Sequence, residues 1–177
     1  MAQDVPSIDT KQELLVFTIA SWQDLIADLD RLSDAQWTDP QDAAGWSIKD
    51  HVAHITQWDR AVIGQLRDGI PMQQSLGVTD ADWGPADFTA INETVRQTTL
   101  HDSVATVIAD RDATWQALLA LLQGMSDDQF AAPVMASGLA VGDTELTGSV
   151  LEELVQSLGI HYADHRQYIA AIVAGTK

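Results

Sequence analysis

Residues 149–174 read SVLEELVQSLGIHYADHRQYIAAIVA, and this stretch decides the fold class. Apolar residues recur in it at the spacing of an α-helix and form one face, made of Val150, Leu154, Leu158, Tyr168, Ile169 and Ile172. His161 and His165 fall within that face, about 40° apart when each residue turns the helix by about 100°. Two imidazoles in an apolar stripe indicate either core histidines with hydrogen-bonded nitrogens or half of a metal site.

Three further long helices are predicted by the same spacing and by residues that cap helix ends. Thr10 and Glu13 form a capping box for the first helix, and Ser47 caps the second with Asp50 in its first turn. The predicted long helices span about 10–32, 47–67, 99–124 (capped near Thr99) and 149–174, and a short amphipathic helix begins at Asp87. Residues 70–86 are a predicted loop, and residues 131–148 a loop or a small hairpin.

The two halves of the chain resemble each other. Each copy ends a helix on Ser-Asp-x-Gln-aromatic and leads through a loop into a helix that carries histidines. The matched residues are Trp22, Leu25, Ile26, Ala27, Leu29, Leu32, Ser33, Asp34, Gln36, Trp37 and Pro40 with Trp115, Leu118, Leu119, Ala120, Leu122, Met125, Ser126, Asp127, Gln129, Phe130 and Pro133. The simplest arrangement is an all-α, pseudo-symmetric four-helix bundle of two helical hairpins. It forms one domain over residues 1–177, with a long connection between the second and third long helices.

The amino-acid composition argues against several classes of partner and of chemistry. Nine Lys and Arg residues stand against 26 Asp and Glu, which gives a formal net charge of −17. A surface this acidic repels phosphate backbones and anionic lipid, so no nucleic acid and no membrane partner is expected. Cysteine is absent, which excludes disulfides, thiolate ligands and a cysteine nucleophile. No signal peptide or membrane span is recognisable, so a cytoplasmic protein is expected.

A metal site on the last helix requires at least a third ligand, and the second helix offers His51 and His54. The apolar face of that helix centres near residues 48, 52, 55, 62 and 66, so helical periodicity alone favours His51. His54 lies at the edge of this face. His101 falls at the predicted start of the third long helix, where a solvated or capping role is expected. Spacing leaves the choice between His51 and His54 open.

Two segments resemble the DinB/YfiT-like superfamily. The first is WSIKDHVAHITQWD, residues 46–59, which is similar to a family pattern of Trp-Ser/Thr-aliphatic, then Ala-His-aliphatic, then Trp-acidic. The second is HYADHR, residues 161–166, which is similar to the closing His-x₃-His of the family. The resemblance extends over nearly the whole chain and implies a DinB-type four-helix bundle. It also implies that His54, His161 and His165 are metal ligands, while His51 stands where the family usually has an apolar residue.

The resemblance further implies a metal-dependent enzyme that uses a divalent ion, with Zn or Ni expected, and acts on a small-molecule substrate. The reaction is either hydrolysis or S-transfer from a low-molecular-weight thiol, and members of the family commonly form homodimers. A non-catalytic binding or stress protein with hydrogen-bonded core histidines is the alternative.

Five other residues are candidates for supporting roles. Asp50 lies one turn before His54 and Asp164 neighbours His165, so either carboxylate could orient an imidazole. A solvated surface position is the more ordinary role for both. Trp58 could line a pocket or simply pack in the core. Arg60 or Arg166 could hold an anionic group of a substrate, unless both extend to solvent.

Overall fold

The computed structural model describes residues 7–39, 41–84, 86–139 and 147–175. The helices are α1 (Lys11–Leu29), α2 (Asp34–Thr38), α3 (Ile48–Ile63), α4 (Met72–Leu76), α5 (Asp80–Trp83), α6 (Phe88–Thr99), α7 (Val104–Gly124), α8 (Asp127–Ala131), α9 (Val134–Ser137), α10 (Val150–Leu154) and α11 (His161–Gly175). A π-helical segment, Gly64–Asp68, prolongs α3, and another, Val155–Ile160, joins α10 to α11. The described residues contain only isolated β-bridges and no strand, so the predicted all-α fold is confirmed.

Side-chain caps explain where the long helices begin. The Thr10 hydroxyl accepts a hydrogen bond from the Glu13 amide at the start of α1. Ser47 and Asp50 form a reciprocal capping box at the start of α3, and Ser149 forms another with Glu152 at α10. Each cap satisfies amide donors that the first helical turn leaves without partners.

The histidine-bearing helices pack against each other inside the molecule. Helix α3 contacts α7 and α11, while α1 contacts the π segment 155–160 and α11. Apolar side chains from all of these helices form one buried core. At its centre the Trp22 and Trp115 rings stack, and the fully buried Tyr162 ring meets both edge-on.

The internal repeat of the sequence has a structural counterpart. Short helices α2 and α8 follow α1 and α7, and each begins with a capping box, on Ser33 and on Ser126. A single antiparallel bridge then precedes each histidine-bearing helix, Gln41 with Ser47 and Pro133 with Ser149. The repeated amino-acid motif therefore forms the same series of structural elements twice: a capping box, a short helix and a bridge.

Three predicted regions differ in part from the structure. The segment 70–86 is a predicted loop but contains the short helices α4 and α5. Thr99 is the last residue of α6 rather than the cap of α7, because the Ser103 hydroxyl accepts from the Thr106 amide and begins that helix instead. The segment 131–148 contains α9, and its residues 140–146 lie outside the described part of the chain.

The π segment before α11 changes which residues face the core. Tyr168, predicted on the apolar face, is 51% exposed, whereas Tyr162 is fully buried. A π turn holds more residues than an α turn, so the faces before and after it cannot be assigned with one 3.6-residue period. None of the helices in the described part of the chain has the length and apolar character that crossing a membrane requires.

Candidate metal centre

Three histidines from two helices meet at one end of the core. His54 lies on α3, and His161 and His165 lie on α11. One ring nitrogen from each lies within 4.8 Å of the others, and the Nε2 atoms of His54 and His161 are 3.1 Å apart. These three residues could therefore hold a metal ion. They are the three that the family resemblance implies.

His51, which helical periodicity favoured, lies outside this group of three. Its Nδ1 atom is 2.9 Å from Nδ1 of His165, and its Nε2 atom is 3.2 Å from Asp42 Oδ2. Of the three clustered histidines, His51 therefore contacts His165 through its Nδ1 atom. His101 is exposed in the turn between α6 and α7, as expected for a solvated residue.

Burial keeps the clustered histidines neutral. It lowers the pKa of His54 and His165 well below the ordinary value, and the neighbouring imidazoles lower both further. Burial likewise lowers the pKa of His161 to about 4. The pKa of His51 is also lowered by burial, although the nearby Asp42 carboxylate raises it in part. Neutral imidazole is the form that coordinates metal, so these rings present lone pairs at neutral pH.

The residues present fit a first-row divalent ion. Two nitrogens bound to one tetrahedral Zn²⁺ at about 2.0–2.1 Å are separated by about 3.3 Å. The 3.1 Å between His54 Nε2 and His161 Nε2 is close to that separation. The side chains are already neutral, so binding of a cation does not require loss of an imidazolium proton.

A cavity of about 540 Å³ opens onto the histidines. Four aromatic side chains form much of its wall, namely Trp46, Trp58, Phe88 and Tyr168. The carboxylates of Asp42, Glu153 and Asp164 also line it, and burial raises the pKa of Glu153. No Lys or Arg lines it among the described residues. The cavity thus combines apolar walls with acidic groups.

Asp50 and Asp164, the two carboxylates considered for orienting an imidazole, make no hydrogen bond to a histidine among the described residues. Asp50 is buried rather than solvated, and its Oδ2 accepts from the amide and hydroxyl of Ser47 in the capping box of α3. Asp164 lines the cavity, and no hydrogen bond joins it to an imidazole among the described residues. Trp58 is half-buried and lines the same cavity, where its ring packs near those of Trp83 and Phe88.

The two arginines considered for an anionic substrate point elsewhere. Arg166 contacts Asp24 at 2.8 Å and Asp28 at 2.6 Å, so it ties α11 to α1. Arg60 contacts Asp110 at 3.1 Å and the Thr114 hydroxyl on α7. Neither lines the cavity. Both serve contacts between helices rather than the site.

Sequence analysis does not identify two groups that the structure places near the site. Asp42 lies in the loop before α3, nine residues from the histidine it contacts, and no spacing rule predicts that approach. Asp59 is fully buried and accepts a 2.9 Å hydrogen bond from the hydroxyl of Tyr162, the residue next to His161. Burial raises the pKa of Asp59 well above its ordinary value. At helical spacing it falls between Ile55 and Val62 on the apolar face of the second predicted helix, which is a sequence signal for a buried acid.

The fold and the histidine cluster together define a class: an all-α protein with a candidate metal centre built from two packed helices. A sequence model of the DinB superfamily matches residues 18–169, and the chain belongs to that superfamily. The resemblance seen in the sequence is thereby confirmed. A comparison with curated protein sequences gives no match.

Three solved structures of differently named proteins have the same fold. A protein from Streptococcus pneumoniae has a TM-score of 0.73 at 13% identity, covering 96% of this chain and 93% of its own. The sibling lethal factor precursor DfsB has a TM-score of 0.75 at 12% identity, with coverages of 97% and 99%. The colibactin self-resistance protein ClbS, in complex with a dsDNA, has a TM-score of 0.72 at 13% identity, with coverages of 94% and 97%. At these identities the likeness is one of fold alone.

The ClbS complex corrects the expectation about partners. The sequence predicts no nucleic acid partner from its net charge of −17, yet a protein of this fold is solved in complex with a dsDNA. That exclusion is therefore wrong. Net charge sums over the whole chain, whereas contact with DNA depends on the charge and shape of one face.

Proposed function

We propose that this protein is a metal-dependent enzyme acting on a small molecule, with His54, His161 and His165 as the metal ligands. The observation that carries the proposal is the meeting of three neutral imidazoles at the end of a cavity of about 540 Å³. Structural zinc sites are closed by four protein ligands, whereas catalytic sites keep a position open. Three histidines facing a cavity match the second pattern. Residues 1–177 are proposed to form one domain around this site.

Zn²⁺ or Ni²⁺ suits imidazole ligands. Bound by three neutral histidines, such an ion retains its full charge and supplies Lewis-acid activation of water, of a substrate oxygen or of an external thiol. The chain's own residues position that chemistry: α3 contributes His54, and α11 contributes His161 and His165 one turn apart.

The cavity favours an uncharged or cationic substrate. Its lining includes the carboxylates of Asp42, Glu153 and Asp164, and no basic side chain of the described residues reaches it. These carboxylates disfavour an anionic group that lies away from the ion, whereas the charge of a bound divalent ion would attract an anion placed directly beside it. Trp46, Trp58 and Tyr168 offer ring faces that attract cations and pack against apolar groups. A small amine, or an uncharged ester or amide with an apolar body, matches this lining.

Hydrolysis is the reaction that this lining favours. A low-molecular-weight thiol that carries carboxylates of its own would meet three more in the cavity. S-transfer is the second candidate, because a cavity of about 540 Å³ falls in the range for drug-sized ligands, roughly 300–1,000 Å³. That volume leaves room for a small uncharged thiol beside its acceptor.

The alternative function is that of a non-catalytic binding or stress protein. The contacts between His51 and His165 and between His54 and His161, at 2.9 and 3.1 Å, are also the distances of hydrogen bonds between neutral imidazoles. Such bonds would satisfy one nitrogen of each ring without any metal, but the buried Nδ1 atom of His54 has no hydrogen-bond partner.

Metal content separates the two classes. We expect protein purified without an affinity tag to contain about one first-row metal ion per chain, measured by elemental analysis. The ion should be lost in His161→Ala and retained in His101→Ala, a matched change at an exposed histidine away from the cluster. Metal-free protein from several growth conditions that also fails to take up Zn²⁺ or Ni²⁺ would overturn the proposal.

Reaction class and substrate charge are tested on the metal-loaded protein. Matched esters and amides bearing a cationic, a neutral or an anionic group are compared for hydrolysis. To test S-transfer, the protein is incubated with an electrophile and either a neutral or an anionic thiol, and formation of the thioether is measured. We expect turnover of the cationic and neutral compounds, with His161→Ala inactive. Preference for the anionic member of each set would contradict the charge argument.

A further inference from the structure

Asp42, His51 and His165 form a continuous hydrogen-bonded row that ends at the candidate metal centre. Asp42 Oδ2 lies 3.2 Å from His51 Nε2, and His51 Nδ1 lies 2.9 Å from His165 Nδ1. Both histidines are buried, and the side chain of His51 is only 4% exposed. The other carboxylate oxygen of Asp42 accepts from the amides of Ala44 and Trp46 at 2.8 and 2.9 Å.

The chemistry of the groups sets the direction of each bond. A carboxylate only accepts hydrogen bonds, so His51 must carry its proton on Nε2 to donate to Asp42. The Nδ1 atom of a neutral His51 is then an acceptor, and it can bond to His165 only if His165 carries its proton on Nδ1. The nitrogen of His165 that remains free with a lone pair is Nε2.

We propose that Asp42 and His51 are positioning residues that hold His165 in its Nδ1–H tautomer, so that the Nε2 lone pair is available to the ion. We name this row the Asp42–His51–His165 relay. The consequence for metal binding rests on the proposed function. The tautomer itself is a property of the metal-free protein and does not depend on that function.

The relay makes a specific prediction for Asp42→Asn. The asparagine Oδ1 can keep the bonds from the Ala44 and Trp46 amides, so the loop retains its shape. Its amide group would donate to His51 Nε2, which moves the His51 proton to Nδ1. His51 would then donate to His165, whose own proton moves to Nε2 and blocks the lone pair. Replacing the Asp42 carboxylate with an amide thus favours the Nε2–H tautomer of His165, which cannot bind the ion through Nε2.

Nitrogen-15 NMR of the metal-free protein at neutral pH tests the tautomer directly, with the His165 signal assigned by its loss in His165→Gln. We expect the Nδ1–H form for His165 in the wild type and the Nε2–H form in Asp42→Asn. A wild-type His165 in the Nε2–H form, or one that does not respond to Asp42→Asn, would overturn the relay.

Metal affinity supplies the second readout, measured by competition of Zn²⁺ with a chromophoric chelator. Loss of a residue that orients a metal-binding histidine typically weakens binding by about 10- to 100-fold. We expect a weakening in that range for Asp42→Asn and also for His51→Leu. Asp164→Asn is the charge-matched control, because it removes the same charge from the same cavity at a residue without a hydrogen bond to an imidazole among the described residues, and it should weaken Zn²⁺ binding far less than Asp42→Asn does.

The double variant separates the relay from a simple charge effect. In the His51→Leu background the link to His165 is absent, so Asp42→Asn should weaken Zn²⁺ binding no further. Additive losses in the double variant would show that Asp42 acts through its charge and would overturn the relay. If the wild type binds no metal, the proposed function fails while the tautomer measurement still decides the relay. If all variants bind Zn²⁺ as the wild type does, the relay fails and the metal site stands.

Discussion

The rings of Trp22 and Trp115 stack with their centroids 4.5 Å apart and an angle of 10° between their planes. The two residues are counterparts in the internal repeat, one on α1 and one on α7. Tyr162 packs edge-on against both rings, and its hydroxyl donates to Asp59. The stack therefore joins the two halves of the chain to the two helices that carry the histidines.

Loss of this stack should destabilise the whole molecule. We expect Trp115→Ala to lower the free energy of unfolding by about 3–5 kcal/mol, because it leaves a cavity between Trp22 and Tyr162. Urea denaturation followed by circular dichroism measures the change. Phe88→Ala is the control, since that ring is 51% exposed and should contribute far less. Similar losses in the two variants would contradict a central role for the stack.

Asp59 should make stability depend on pH in the acidic range. Its pKa is raised by burial, so the folded state keeps the proton after the unfolded state has released it. The stabilisation is fully present below the ordinary aspartate pKa, near 3.9, and is lost as pH rises toward the folded pKa. Asp59→Asn keeps an acceptor for Tyr162 and removes the titration.

We therefore expect the wild type to lose stability relative to Asp59→Asn as pH rises from about 4, by up to about 1.4 kcal/mol per pH unit. Urea denaturation at a series of pH values gives the difference. Parallel curves for the two proteins would show that Asp59 does not titrate differently on folding.

The clustered histidines should act in the opposite direction. Burial lowers the pKa of His161 to about 4, so the unfolded state takes up a proton on this residue before the folded state does. The stabilisation is present above the ordinary histidine pKa, near 6.5, and is lost as pH falls toward 4. In metal-free protein, we expect His161→Gln to reduce the dependence of the unfolding free energy on pH in this window. An unchanged slope would contradict burial of a neutral His161.

Arg166 should matter for stability alone. It contacts Asp24 and Asp28 on α1 and is partly exposed, so Arg166→Met should lower the free energy of unfolding by less than about 1 kcal/mol. Since its guanidinium does not line the cavity, metal affinity and the ranking of substrates by charge should stay as in the wild type. A selective loss of activity on anionic compounds in this variant would place Arg166 in substrate binding after all.

Much of the fold could be predicted from the sequence because helix formation is governed by local spacing and caps. Thr10 and Ser47 cap helices as expected, the last long helix begins near its predicted start, and the family pattern places its histidines on the second and last long helices. The errors arise where local rules compete. Thr99 and Ser103 are both plausible caps, and the π segment before His161 breaks the single period that assigned Tyr168 to the core.

Local spacing was enough to predict the all-α class, the repeat and the two histidines at i and i+4 on the last long helix. Which histidines meet depends on tertiary packing. Periodicity on α3 favours His51, but the packing of α3 on α11 brings His54 to His161 and turns His51 toward His165 and Asp42. The physical reason is that periodicity describes one helix, whereas a site with several ligands depends on the angle and offset between two helices and on the path of the loop before them.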